Sequence, residues 1–312
     1  MIHIVINPAA GQTTPVLAIL NSVFHPAGIP WRVSITQKEG DAKIQAEEAA
    51  ADGVDIVAAY GGDGTVAEVA SGLLGSDIPL AILPGGTANV VAQELGIPQN
   101  LYMAAQVAIN KHSHKKQIDI AQVNNVYFLL RVGLGTEAKI TQGADRELKN
   151  RLGFLAYVWS AAQSLASVEM ATYHLTIDGE KFHADGVTCS IMNTGNMGLG
   201  GLQLSSDIRI DDGLLDVVVL KTPNLPTLTD LVSGVTGLAA GTLAGQGQIN
   251  LETNSILDLN SYLSYWRAKE VTAYATPQQV IQYDGELLQA DKVHCRVLPA
   301  ALRVIVPHKP VS

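Results

Sequence analysis

The segment Ala59-Tyr60-Gly61-Gly62-Asp63-Gly64-Thr65-Val66-Ala67-Glu68 constrains this chain more than any other. A β-rich apolar run enters three glycines around one aspartate, and a helix-forming stretch begins at once. Glycine lacks a Cβ, so backbone there can approach a phosphate closely. A helix start adds free N–H groups and the positive end of the helix dipole. Asp63 fits such a loop when a Mg²⁺ lies between its carboxylate and the phosphate, because the two anions otherwise repel. The plainer reading is a tight strand–helix turn with an aspartate cap, and Thr65-x-x-Glu68 has capping-box spacing. Three glycines in four positions exceed what a turn requires.

A second loop of the same kind is Leu83-Pro84-Gly85-Gly86-Thr87-Ala88-Asn89, and a third, Asn7-Pro8-Ala9-Ala10-Gly11, closes the first apolar run. Strands are expected at Ile2–Ile6, Ile56–Tyr60 and Leu80–Leu83. Helical stretches are expected at Thr14–Phe24, Asp41–Ala51, Thr65–Leu74 and Thr87–Leu95. Such alternation predicts a parallel sheet flanked by helices, with the glycine loops side by side at the rim where these folds bind ligands. Neither a Walker A sequence nor G-x-G-x-x-G occurs, so a P-loop or Rossmann dinucleotide site is unsupported.

After about residue 123 short alternating β-like runs dominate: Val126–Leu130, His174–Ile177, Val187–Met192, Leu215–Leu220, Val271–Ala275, Val293–Val297 and Leu302–Val306. Turns punctuate them, including Asp178-Gly179, Asp212-Gly213 and Asp284-Gly285, and the spacing predicts an antiparallel β-sandwich. Two helical interruptions are expected, at residues 151–168 and 225–244. The fold class is thus an α/β domain over residues 1–122 followed by a β-sandwich domain over residues 123–312. The last strand is the segment that could return to the first domain. Lys111–Lys116 reads as a solvated turn before a strand at Ile118.

A formal net charge of −9 argues against nucleic acid as a partner, since phosphates need a basic surface. The two cysteines, Cys189 and Cys295, lie far apart and fit a reducing compartment better than a disulfide framework. MIHIVINPAAG reads as a strand entering a turn, without a charged n-region or a cleavage site, and no secretory signal is expected. Residues 231–251 are uncharged but carry five glycines and two glutamines, too polar for a spanning helix. A cytoplasmic protein, free or peripheral at the inner membrane face, is expected.

NPAAG (7–11), GGDGTVAEV (61–69) and PGGTANVVAQELGIP (84–98) resemble the signature blocks of the diacylglycerol-kinase catalytic family, which includes sphingosine kinases and bacterial lipid kinases. The resemblance continues through Ile118-Asp119-Ile120, Asp211-Asp212-Gly213-Leu214-Leu215-Asp216 and Asp284-Gly285-Glu286. It implies an NAD-kinase/phosphofructokinase-like nucleotide domain, a β-sandwich, and a site in the cleft between them. It implies Mg²⁺ and ATP as cofactors. Asp63 would hold the catalytic metal, Asp119 would support it, and Glu286 would be the general base. Asn7, Pro8, Ala9, Ala10, Gly11, Thr36, Gly61, Gly62, Asp63, Gly64, Thr65, Val66, Ala67, Gly85, Gly86, Thr87 and Asn89 would line the nucleotide. Arg209, Asp212 and Leu214 match a structural Mg²⁺ loop, the first and last through backbone carbonyls. A lipid with a free hydroxyl is the implied acceptor, and a homodimer is compatible with the family.

Three positions depart from the pattern. Gln12 stands where some bacterial members have Lys, and Val90 and Gln93 stand where many have Asp and Arg. Loss of those charges predicts an altered substrate or weaker turnover. Aromatic residues at 154, 157 and 159 beside Lys149 and Arg151 suit either an interfacial lipid contact or a core helix. An NAD-kinase-like phosphotransferase acting on a soluble hydroxyl, and a non-catalytic nucleotide-binding regulator, are the alternative functions.

Overall fold

The computed structural model of the chain describes residues 1–10, 14–135, 170–196, 202–203, 208–221, 249–250 and 263–308. Its elements begin with β1 (Ile2–Ile6), α1 (Val16–Phe24), β2 (Trp31–Ile35), α2 (Asp41–Ala51), β3 (Ile56–Gly61) and α3 (Asp63–Gly72). β4 (Leu80–Pro84), α4 (Val90–Glu94), α5 (Leu101–Ile109) and β5 (His114–Val123) follow. The rest is β: β6 (Val126–Phe128), β7 (Arg131–Gly135), β8 (Ala171–Ile177), β9 (Glu180–Gly186), β10 (Thr188–Met192) and β11 (Leu202–Gln203). Then come β12 (Leu215–Leu220), β13 (Ile249–Asn250), β14 (Leu263–Ala268), β15 (Glu270–Thr276), β16 (Ile281–Tyr283), β17 (Glu286–Leu288) and β18 (Val293–Val306). The chain divides into two compact units: Met1–Asp119 with Ala300–Ser312, and Ile120–Pro299.

The first unit is built on parallel strands in the order β2-β1-β3-β4, with the end of β18 running parallel beside β4 at Val304. Every residue of β1 and β4 is buried. Strands covered by helices on both faces read as unbroken apolar runs, which is why these two were legible as sequence. α2 spans the residues expected of it and buries Ala42, Ala46 and Ala49 on one face. From β1 the chain passes to β2 on one side and then to β3 on the other, so the topological switch point lies at the carboxyl ends of β1 and β3.

The second unit is antiparallel. One sheet pairs β18, β15, β8 and β9, with β5 joining β18 and β6. The other has the order β14-β12-β10-β7-β16-β17. Tyr173, Leu175, Val271, Ala273 and Cys295 from the first sheet share one core with Val132, Leu134, Cys189, Ile191, Val217 and Ile281 from the second. β8 alternates buried and half-buried residues along its length, as a strand with one wet face must. Asp178-Gly179 and Asp284-Gly285 close two-residue hairpins with positive φ at both positions, as type I′ turns require. β11 and β13 pair in parallel.

Several local expectations are corrected. The two runs at 293–297 and 302–306 form a single strand, β18, because a positive-φ residue, Ala300, absorbs the irregularity without ending it. β5 begins at His114, inside the expected turn, and its first four residues are polar, so periodicity does not mark them. α3 starts at Asp63 with Gly62 as its N-cap, and Thr65 lies inside the helix. Thr65 and Glu68 therefore form no capping box: Glu68 Oε2 instead accepts the N–H of Ala42 at 3.1 Å, in the first turn of α2. α4 occupies only the centre of the expected 87–95 stretch. The helices expected at 151–168 and 225–244 lie outside the described residues, as does the aromatic cluster at 154–159.

Candidate phosphate-binding loops and the carboxylates of the second unit

Three loops leave the carboxyl ends of β1, β3 and β4 and are tied together in series. Asn7 Nδ2 donates to Thr65 Oγ1 at 2.9 Å, joining the loop after β1 to the first turn of α3. Asn7 Oδ1 accepts the N–H of Ala9 at 2.9 Å, and its own N–H bonds the Tyr60 carbonyl. The amides of Gly85 and Gly86 both donate to the carbonyl of Gly61. Asp63 Oδ1 accepts the N–H of Val91 at 3.0 Å. Thr36, buried at the end of β2, bonds the Ile6 carbonyl through its N–H. The expected nucleotide-lining residues in the described part thus gather on one edge of one sheet, at its switch point. Gly11 and Gln12 lie outside the described residues.

The glycines divide into two kinds. A Cβ on Gly86 would meet the Cα of Gly62 at 2.6 Å, and one on Gly85 would meet the Tyr60 ring at 2.9 Å. These positions are glycine because two backbones and a ring pack where a side chain would stand. Gly64 differs: it is exposed, and a Cβ there meets nothing within 4 Å. Gly64 lies in the first turn of α3, whose N-terminus carries no side-chain cap. Uncapped N–H groups beside open space make an anion site.

Asp63 has a double position. Burial pushes its carboxyl up from the ordinary value, against the backbone N–H groups of Val91, Val90, Asp63 and Asn89, which hold it down. It is an aspartate cap after all, but for α4 rather than for its own helix. Asn89, the formal N-cap of α4, sits at φ 48° with its side chain turned to the loop. Its Oδ1 accepts the N–H of Gly86 at 3.0 Å, and its Nδ2 donates to the Gly86 carbonyl and to Gln99. Gln93, where Arg is common in the family, donates from Nε2 to the Ala88 carbonyl at 2.6 Å. Thr87 at the tip is exposed.

Four backbone N–H groups do not make up for the burial of the Asp63 carboxylate, and a cation beside it would. Among the described residues no group of three or more His, Cys, Asp or Glu side chains could hold a metal by itself. Mg²⁺ uses one or two carboxylates together with phosphate oxygens and water. Asp119 is buried, and its Oδ1 accepts the N–H of Ala300 at 2.7 Å, pinning the kink in β18.

In the second unit Asp284 accepts the N–H groups of Leu129, Leu130 and Arg131 at 2.7–3.0 Å. This fixes the β16–β17 hairpin, and Glu286 follows the turn, exposed, its Oε2 accepting from the Tyr283 hydroxyl at 2.9 Å. From sequence, Asp284 is a turn residue and part of the Asp284-Gly285-Glu286 block, and its three backbone bonds leave no local signal. Asp212 Oδ1 accepts the N–H of Leu214 at 3.0 Å, and Oδ2 pairs with Arg267. Arg209 pairs with Asp211 through Nε at 3.1 Å. Each oxygen of the carboxylate expected to bind a structural metal thus has one protein donor. Arg267 also reaches the buried Asp216 at 3.3 Å, which bonds Tyr265 as well. Burial raises the Asp216 carboxyl to about 6, against the Tyr265 hydroxyl and Arg267.

Comparison with known proteins bears on the family and the fold. The family described as diacylglycerol kinase catalytic domain matches residues 1–123, and the family described as YegS C-terminal NAD kinase beta sandwich-like domain matches residues 131–306. A protein of Bacillus subtilis strain 168 named diacylglycerol kinase is 31% identical over 290 residues, covering 91% of this chain and 89% of the relative. A probable lipid kinase YegS-like of Pseudomonas aeruginosa is 34% identical over 283 residues, covering 90% and 86%. The fold is that of a crystal structure of a diacylglycerol kinase from Bacillus anthracis, with a TM-score of 0.71 at 24% identity over 99% of this chain and 97% of that one.

Proposed function

Because this chain belongs to the diacylglycerol kinase catalytic-domain family, we propose that it transfers the γ-phosphoryl group of ATP to the hydroxyl of a lipid, with diacylglycerol-like acceptors as the substrate class. The observation that carries the reading is the open, uncapped N-terminus of α3 beside Gly64, framed by two loops whose glycines interlock. Phosphoryl transfer needs little covalent help from protein; positioning and charge neutralisation dominate.

In this reading the backbone N–H groups at the start of α3 hold phosphate oxygens, and the Asn7–Thr65 bond keeps the loop after β1 in register with them. Asp63, with Oδ1 on Val91, would hold the Mg²⁺. When bound, that ion neutralises charge on the phosphates being separated. Glu286, exposed in the second unit, would take the proton of the acceptor hydroxyl. Asp119 would act through backbone, by fixing Ala300. Among the described residues no helix is long and apolar enough to cross a membrane, and peripheral contact with a lipid surface is part of the proposal.

The test is to incubate the purified protein with γ-labelled ATP and Mg²⁺ against mixed lipid vesicles and, separately, against NAD. A labelled phospholipid is expected. Labelled NADP, or nucleotide binding with no labelled product from either, would overturn the reading.

A further inference from the structure

Tyr60 lies in register with Ile6 of β1 on one side and with Leu83 of β4 on the other. It stands immediately before Gly61 and Gly62, is only 3% exposed, and has no part in the chemistry proposed above. Its carbonyl accepts the N–H of Asn7, the first residue after β1, at 2.9 Å. Its hydroxyl is hydrogen-bonded to the side chain of Thr14, two residues before α1. One residue of β3 therefore holds Asn7 through main chain and Thr14 through side chain. The ring meets the loop after β4. A Cβ on Gly85 would stand 2.9–3.2 Å from three of its carbons, so the Gly85 backbone lies directly against the ring. The next carbonyl of β3, that of Gly61, takes the amides of Gly85 and Gly86.

A buried hydroxyl is costly unless it is hydrogen-bonded, and a phenylalanine ring would support Gly85 as well. What the phenol adds is the bond to Thr14. We propose that Tyr60 is a positioning residue for the nucleotide: its ring sets the level of the glycine loop after β4, and its hydroxyl and carbonyl fix Thr14 and Asn7 against the same strand end. The loops after β1 and β4 then stand at one spacing beside the start of α3 before a phosphate arrives. Identification of the ligand as a nucleotide rests on the lipid-kinase reading above. Order fixed in advance is not a cost at the moment of binding. Because Tyr60 is buried and acts through Asn7, Thr14 and Gly85, its loss falls on nucleotide affinity and not on the rate at saturation.

The test titrates Mg-ATP calorimetrically into the full-length protein, Tyr60→Phe, Thr14→Val and the double variant. Each single variant should weaken binding about three- to tenfold, the worth of one hydrogen bond, and the double variant should be no weaker than either. In the transfer assay the KM for ATP should rise by the same factor while kcat stays near the parent's. Losses that multiply in the double variant would mean two unrelated effects and overturn the shared bond. Parental affinity in Tyr60→Phe, whatever its melting temperature, would leave the residue purely structural and overturn the proposal. So would a fall in kcat at unchanged KM. Gly85→Ala drives a Cβ into the ring and should weaken Mg-ATP more in the parent than in Tyr60→Leu, where the ring is gone. An equal loss in both backgrounds would overturn the part given to the ring. Failure of the parent itself to bind Mg-ATP sinks the kinase reading, and hydrogen exchange then decides the positioning separately. Faster exchange of the Asn7 and Ala10 amides in Tyr60→Phe supports it, and unchanged exchange overturns it.

Discussion

Asp63 Oδ1 accepts the backbone N–H of Val91 at 3.0 Å, so one carboxylate links the start of α3 to the start of α4. The residue expected to anchor a metal is thus also a bracket between two glycine loops. Any variant at this position changes two things, and the choice of replacement decides which is read.

Asp63→Asn keeps an oxygen for the Val91 amide and removes the charge. It should melt close to the parent and lose phosphoryl transfer by at least about a hundredfold. Asp63→Ala should lose transfer and also about 1–2 kcal/mol of stability, because the N–H groups opening α4 lose their acceptor. Urea unfolding beside a transfer assay separates the two. Equal stability of both variants would remove the bracket role.

Gly86→Ala puts a Cβ 2.6 Å from the Cα of Gly62, where neither backbone can yield cheaply. It should cost about 1–3 kcal/mol and weaken nucleotide binding by moving both loops. Gly64→Ala meets no atom within 4 Å. It should leave stability within about 0.5 kcal/mol while weakening nucleotide affinity, because the methyl enters the space assigned to phosphate. Normal nucleotide affinity in Gly64→Ala would place the phosphates elsewhere.

The adjoining residues Asp284 and Glu286 should separate cleanly. Asp284→Ala strands three backbone N–H groups and should cost about 3 kcal/mol. Glu286→Gln alters an exposed side chain and should leave unfolding unchanged while slowing transfer by about 10²–10⁴. Near-normal turnover in Glu286→Gln would end its assignment as base.

Asp216 makes a pH prediction. Its carboxyl is raised from 3.8 to about 6 by burial, so between those values the folded state holds a proton that the unfolded state has released. Its contribution to stability is therefore greatest below about pH 4 and is lost as pH rises through about 6. Relative to Asp216→Asn, the parent should lose stability across that window by up to about 3 kcal/mol, the equivalent of roughly two pKa units. Denaturant midpoints of both proteins at a series of pH values check the sign. A constant difference would mean that Arg267 and Tyr265 offset the burial fully.

Which parts of this architecture were legible beforehand follows from how local the signals are. The IHIVI and LAILP runs declare buried parallel strands because both faces of such a strand are covered, so every residue but His3 is apolar. α2 was bounded correctly by its alanines and its neighbouring glycine and aspartate. The Asp-Gly pairs at 178 and 284 marked hairpins because only a few residue types tolerate positive φ. β18 was misjudged as two strands, since nothing within the segment 298–301 reveals that Asp119, 181 residues earlier, holds the kink at Ala300 in the ladder. The supposed capping box failed for the same reason: Thr65 and Glu68 take their partners from the loop after β1 and from α2.

By itself, then, the sequence determined the buried parallel strands, α2, the two-part plan and the glycine loops, but not β2 or α5, because apolar periodicity and backbone permissiveness are properties of neighbours along the chain. Tertiary structure alone decided which glycines make room for protein and which leave room for a ligand, and that Asp63 caps a helix it does not belong to. It also placed Arg267 against Asp212 and Asp216, and left Gln279 with a buried, unmet acceptor. Those outcomes depend on which backbones and side chains meet across the sheets, and hydrogen-bond partners dozens of residues apart leave no mark in local pattern.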